Sequence, residues 1–168
     1  MADLTPTERL QPCLLDRLTD ENPEAVKESR DQRIVSLRRY RTAVLRDLDW
    51  LLNTGSHSSA EDLSEFGEVA KSVLNYGVPD LCGVTVSGLD AEEFERQLLE
   101  AIRVFEPRIL PGTLSIQVQT SGGQDDHKAV FFEIRGDLWA QPTPDPLYVR
   151  TEVDLDTGQC ELKDRPNG

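Results

Sequence analysis

Two carboxylates on one predicted strand face, Glu133 and Asp137, are the groups whose types would suit acid–base work on a glycosidic bond. Such chemistry needs two carboxyls roughly 5–9 Å apart across a sugar-binding cleft. Glu133 and Asp137 lie two strand periods apart with Arg135 between them, and aromatic residues are only 6% of the chain, so no sugar-stacking lining is visible. A charge-alternating outer sheet face explains these residues better than an active site does. The histidines, His57 and His127, both fall in predicted loops among polar residues. A triad needs a base held beside a nucleophile and oriented by a third group, and neither histidine sits in such a setting. No phosphate-cradling glycine loop, dinucleotide fingerprint, HExxH or GxSxG pattern occurs. Cys13, Cys82 and Cys160 are odd in number and scattered, which suits reduced buried thiols rather than disulfides. Without a CxxC or a Cys/His cluster a zinc site is not expected, and no cofactor is called for.

One short charged motif stands apart: Phe105-Glu106-Pro107-Arg108, where a helix ends and a strand approaches. Pro107 fixes the backbone, so Glu106 and Arg108 leave a stiff corner. They would either make charge-assisted hydrogen bonds to a partner or close the corner as a local ion pair, and spacing alone favours the local pair.

The net charge of −13 argues against nucleic acid as a partner, because phosphate contacts need clustered cations. Lys27, Arg30, Arg33, Arg38, Arg39, Arg41 and Arg46 nevertheless hold seven of the 18 basic residues in one stretch. That stretch is either a solvated helix face or a docking surface. No apolar run approaches the roughly 18 residues that span a bilayer, and the start of the chain lacks the pattern of a secretory signal. A cytoplasmic protein with no direct membrane insertion is expected.

The elements that must position these groups are readable in part. Residues 1–32 form a polar arm with one apolar helix-like piece, Cys13 to Leu18, whose Leu14, Leu15 and Leu18 would serve a partner or pack back on the domain. A single domain is expected over 33–163, with a tail at 164–168. Ile34, Leu37, Val44, Leu45, Leu48, Leu51 and Leu52 predict a helix from Ile34 to Asn53, and a second helix is expected from about Leu63 to Leu74. The third is best specified. Asp90 stands three residues before Glu93 as a cap, Leu89 and Phe94 suit a hydrophobic staple, and Pro107 should stop the helix at Glu106.

Beyond Pro107 the period changes to two. Leu114, Ile116 and Val118, then Val130, Phe132, Ile134 and Leu138, then Leu147, Val149, Val153 and Leu155 mark strands, with a short last strand from Cys160 to Leu162. Helices followed by hairpin-linked strands predict an α+β fold, with N-terminal helices on one face of a small antiparallel sheet of three to four strands.

Four segments now occur in order: Leu14-Leu15-Asp16-Arg17-Leu18-Thr19-Asp20, Arg46-Asp47-Leu48-Asp49-Trp50-Leu51-Leu52-Asn53-Thr54, Ser72-Val73-Leu74-Asn75-Tyr76-Gly77-Val78-Pro79-Asp80 and Phe105-Glu106-Pro107-Arg108. Together they resemble the TssE family, type VI secretion baseplate subunits related to a wedge protein of contractile phage tails. The resemblance covers nearly the whole chain. It implies a non-catalytic wedge subunit built with TssF, TssG and TssK, six wedges around a central spike hub of VgrG, and assembly at the inner face of the cytoplasmic membrane. It implies that Glu106, Pro107 and Arg108 dock on the helical core of the wedge, and that the subunit offers strands to the first ring of the TssB/TssC sheath. An open sheet edge would serve that purpose by β-addition. Relatives carry a lysozyme-like label that nothing in these residues supports. A muramidase-like enzyme, a wedge protein of a phage or other contractile system, and a soluble regulatory adaptor stay open as alternatives. The region from Asp62 to Val69 has no assigned partner, and the loop from Thr120 to Lys128 matches no motif.

Overall fold

The computed structural model describes residues 10, 12–19, 24, 36–85, 88–120 and 129–164. Its elements run α1 (Leu14–Leu18), α2 (Leu37–Leu52), a 3-10 turn (His57–Ser59), α3 (Gly67–Ala70), a second 3-10 turn (Val73–Asn75), α4 (Ala91–Phe105), then β1 (Ser115–Thr120), β2 (Ala129–Leu138), β3 (Asp145–Asp154) and β4 (Cys160–Asp164). The strands form one antiparallel sheet in the order β1-β2-β3-β4, so the fold is α+β as expected.

Each long helix forms where an apolar stripe meets a cap. In α2 the stripe is Tyr40, Val44, Leu48, Leu51 and Leu52, all buried. The helix starts later than its apolar pattern implied. Ser36 stands in extended geometry and its Oγ accepts the Arg39 amide at 3.2 Å, while Ile34 lies outside the described residues. In α4 Phe94, Leu98 and Ile102 repeat every four residues and are buried. Asp90 caps it by accepting the Glu93 amide at 3.1 Å. Glu93 does not reciprocate. Its carboxylate takes Gln97 Nε2 at 2.7 Å and pairs with Arg96 instead. The helix ends at Phe105, with Glu106 as its C-cap, in agreement with Pro107.

Strand alternation sorts residues as the two-residue period requires. Ile116, Val130, Phe132, Ile134, Val149 and Val153 are buried beneath the helices. Phe94 meets Phe132 edge to face at 6.0 Å, which ties α4 to β2. The opposite sheet face carries charge over aromatic rings. Arg135 lies over its cross-strand partner Tyr148 at 5.3 Å, and Arg150 over Phe131 at 5.5 Å. Thr151 is the exception on the inner face, fully buried with no hydrogen-bond partner for its hydroxyl among the described residues. Leu155 falls just past β3, yet is 1% exposed.

Three expectations change. The helix expected from Leu63 to Leu74 is broken into α3 and a 3-10 turn, because Ser72 accepts the Leu74 amide and hydrogen-bonds back to Val69 O. Cys160 alone of the cysteines is buried; Cys82 is exposed and Cys13 intermediate. The described part of the basic stretch, Arg38, Arg39, Arg41 and Arg46, is not one surface. Arg41 turns inward to grip Asp164 with Nε at 3.0 Å and Nη2 at 2.8 Å, and Asp145 with Nη1 at 2.9 Å. That clamp fastens α2 to the start of β3 and the end of β4. Lys27, Arg30 and Arg33 lie outside the described residues.

After α2 the chain is locked by a glycine. Gly77 has φ +135°, and a Cβ there would lie 2.4 Å from Thr54 O. The close approach lets the Val78 amide reach Thr54 O at 2.8 Å and the Ser56 amide reach Val78 O at 2.9 Å.

Candidate functional site

The Glu106-Pro107-Arg108 corner is built where α4 stops and the chain turns onto the end of β2. Ile109 pairs with Leu138, the Trp139 amide donates to Arg108 O at 2.8 Å, and the Leu110 amide donates to Asp137 O at 2.8 Å. These bonds fix the corner to the sheet. Glu106 is only 3% exposed, so its carboxylate points inward. Arg108 follows it. Nε donates to Glu106 Oε1 at 2.6 Å, Nη2 pairs with Glu106 Oε2, and the Arg108 amide also reaches Oε1 at 3.2 Å. Arg108 Nη2 continues to Asp47 Oδ2 at 2.6 Å. Burial opposes the guanidinium charge, but hydrogen bonds and attraction from Glu106 and Asp47 outweigh it and raise the Arg108 pKa. Pro107 alone of the three is exposed.

The chain of charges runs further. Asp47 Oδ1 accepts Arg46 Nε at 2.8 Å, and Arg46 Nη1 reaches Asp16 of α1 at 2.6 Å. Asp16 also accepts the Cys13 thiol at 2.9 Å. Burial works to raise the Asp16 pKa, yet the bonds from Cys13 and Arg46 prevail and hold it below its ordinary 3.8. Arg46 lies over Trp50 at 5.1 Å. Five residues, Asp16, Arg46, Asp47, Arg108 and Glu106, thus alternate in sign from the arm to the corner.

This chain sets the arm beside the corner. Leu10 anchors the arm in the core at 4% exposed, but α1 buries nothing. Leu14, Leu15 and Leu18 face solvent at 69%, 43% and 74% exposed. Between arm and corner lies an open groove of about 700 Å³ lined by Cys13, Tyr40, Asp47, Phe105, Glu106, Pro107, Arg108 and Trp139. Burial raises the Tyr40 phenol pKa, so its ring remains neutral on the groove wall.

Of the nine residues singled out from the sequence, the structure brings Glu106, Pro107, Arg108 and Arg46 together, with Leu14, Leu15 and Leu18 on the adjoining helix. Arg38 and Arg39 are exposed near the start of α2 and take no part in the ion chain. Asp47, Asp16, Tyr40 and Trp139 were missed. Asp47 stands directly after Arg46, and that adjacency is the one local sign that it belongs to the network.

The alternative acid–base groups sit elsewhere. Glu133 is bonded to Arg135 at 2.7 Å, and hydrogen bonds from Tyr148 and Arg135 hold its carboxyl below the usual range. A general acid needs the opposite shift. His57 Nε2 lies 3.5 Å from exposed Glu61, and His127 is outside the described residues. Among the described residues no cluster of three or more His, Cys, Asp or Glu side chains could hold a metal ion, and no helix is long and apolar enough to cross a membrane.

The sheet has two edges, β1 and β4. Glu95 of α4 takes the Val118 amide on β1 at 2.7 Å. On β4 the Asn53 side chain engages Cys160 twice, through its amide at 2.9 Å and its carbonyl at 3.0 Å.

Fold and corner define a small α+β protein whose charged elbow is held by internal ion pairs next to an open, partly aromatic groove. A family model described as baseplate wedge protein gp25 matches residues 38–143, well over half of the chain. The chain belongs to that family, whose type VI secretion homologue is TssE, and it is a baseplate wedge protein of contractile injection systems. Neither the curated proteins nor the solved structures offer a match.

Proposed function

We propose that the chain is the TssE-type wedge subunit of a type VI secretion baseplate, a non-catalytic part that docks on the TssF/TssG core alongside TssK. It then seeds the TssB/TssC sheath around a VgrG spike hub. The observation that supports this reading is the five-residue ion chain, which ties α1, with its exposed leucines, to the Glu106-Pro107-Arg108 corner beside a groove lined by Cys13 and the three corner residues. In this reading the charges keep the elbow rigid, and the contact area comes from Pro107, Trp139, Leu14, Leu15 and Leu18. A preformed surface spends less ordering entropy on binding than a mobile one. The protein acts in the cytoplasm, at the inner face of the membrane.

The test is co-purification with TssF and TssG. Glu106→Ala with Arg108→Ala should retain a cooperative melt but lose the complex, as should Leu14→Ser with Leu15→Ser and Leu18→Ser. A double variant that still co-purifies normally would remove the corner from the account. Assembly with phage-tail wedge proteins in place of TssF and TssG would move the chain to another contractile machine. Cleavage of purified peptidoglycan that disappears in Glu133→Gln would revive the muramidase alternative.

A further inference from the structure

The segment between α2 and α4 carries a second surface that the corner and arm do not use. Here α3 and the following 3-10 turn form a small knob. The Ser72 amide and Oγ both donate to Val69 O, at 3.0 Å and 2.9 Å, and Asn75 Nδ2 reaches back to Ala70 O at 2.9 Å. The Asn75 side chain also takes the Ser58 amide at 2.8 Å, which pins the knob to the preceding 3-10 turn. Backbone and amide bonds therefore hold its shape, since neither α3 nor the turn buries a residue.

What the knob presents is apolar. Phe66 is 58% exposed, Val73 82% and Leu74 72%, three large hydrocarbons within nine residues. Single exposed apolar residues are ordinary, but a cluster rimmed by polar groups marks a contact surface. The rim is acidic. Glu61, Asp62, Glu65 and Glu68 are exposed in the same stretch of chain, which from 61 to 75 carries the single cation Lys71. Asp62 is engaged by the Ser64 amide and Glu61 lies near His57, but Glu65 and Glu68 have no ion-pair partner among the described residues.

We propose that this knob is a second docking site, whose occupant is a short basic, apolar segment of another protein in the assembly. The apolar side chains need hydrocarbon to cover them. The carboxylate rim repels acidic surfaces and favours Lys or Arg placed around that hydrocarbon. The knob is only two turns long, so it fits one amphipathic segment and not a broad flat interface. The proposal rests on the wedge reading of the chain but not on the Glu106–Arg108 corner.

The test uses the full chain in cells that produce the intact contractile assembly. A photo-reactive amino acid replaces Leu74 and, separately, Pro107, and crosslinked peptides are sequenced. The Leu74 probe should capture a peptide of a different subunit with more Lys and Arg than Asp and Glu, beside at least two large apolar residues. In the background of Glu65→Lys with Glu68→Lys the Leu74 yield should fall at least fivefold. Glu92→Lys with Glu100→Lys, on the exposed side of α4, should leave it within twofold. Capture of an acidic peptide, capture of a second copy of this chain, or indifference to the charge reversal overturns the proposal. Crosslinks from Pro107 with none from Leu74 would sink the knob alone. Crosslinks from Leu74 with none from Pro107 would sink the corner alone.

Discussion

Arg108→Ala should cost this fold more than any other single charge removed from its surface layer. Glu106 is 3% exposed, and its carboxylate accepts three hydrogen bonds from Arg108, two from the guanidinium and one from the backbone amide at 3.2 Å, of which Arg108→Ala leaves only the last. Taking away one partner of a buried pair leaves an uncompensated charge and costs about 3–5 kcal/mol. Arg108 itself is 19% exposed, so water softens the loss and the lower end, about 3 kcal/mol, applies. At this chain length each kcal/mol moves the melting midpoint by about 2–4 °C, which predicts a drop of roughly 6–12 °C. Glu106→Ala should cost less, about 1–2 kcal/mol, because Asp47 still holds the guanidinium. With both charges gone no orphan remains, so the double variant should fall short of the sum by more than about 1 kcal/mol. Urea and thermal melts of the four proteins measure this cycle. An Arg108→Ala midpoint within 2 °C of the parent, or strict additivity, would refute the argument that the pair is internal and structural.

Asp16 gives the arm a pH dependence. Its folded pKa lies below 3.8, so its contribution is complete above that value and is lost as pH falls through the folded pKa. Hydrogen exchange across residues 14–18, corrected for intrinsic rates, should show α1 equally protected at pH 7 and 5 and released only as the pH is taken below 3.8; protection that persists once the Asp16 carboxyl is fully protonated would contradict the tether. Thr151→Val should stabilise the protein by about 1 kcal/mol, because it removes a buried hydroxyl that has no partner among the described residues, and a lowered melting midpoint would be the opposing result. The Cys160 amide and carbonyl face outward on β4, and alternation turns the Leu162 amide the same way. Leu162→Pro should therefore keep the β3–β4 ladder yet block sheath nucleation, with wedge binding intact; normal sheath growth would exclude β-addition at this edge.

How far these features could be read in advance depended on the range of the interaction. The α4 boundaries were legible because Asp90, Phe94, Leu98, Ile102 and Pro107 act within one or two turns of each other. The inner faces of β2 and β3 were legible because burial follows a two-residue period. The interruption between Leu63 and Leu74 was not, since Ser72 competes for backbone groups with a hydroxyl that apolar periodicity does not register. The fate of the basic stretch was hidden by distance. Arg41 meets Asp145 and Asp164 across 104 and 123 residues, so a cation that its neighbours in sequence suggested belonged to one basic patch is drawn into an internal clamp. At the corner the local pair of Glu106 and Arg108 could be expected from a two-residue spacing. Its depth of burial and its extension through Asp47 to the arm need the packed fold.

The most direct measurement is the sedimentation of contractile particles from cells in which the chain carries a small tag, with each gradient fraction also assayed for muropeptide release. The account predicts that the chain travels with baseplate-bearing particles in fixed ratio to the wedge core and that those fractions leave peptidoglycan undigested. A chain that stays at the top of the gradient, or fractions whose cell-wall cleavage follows its amount, would contradict it.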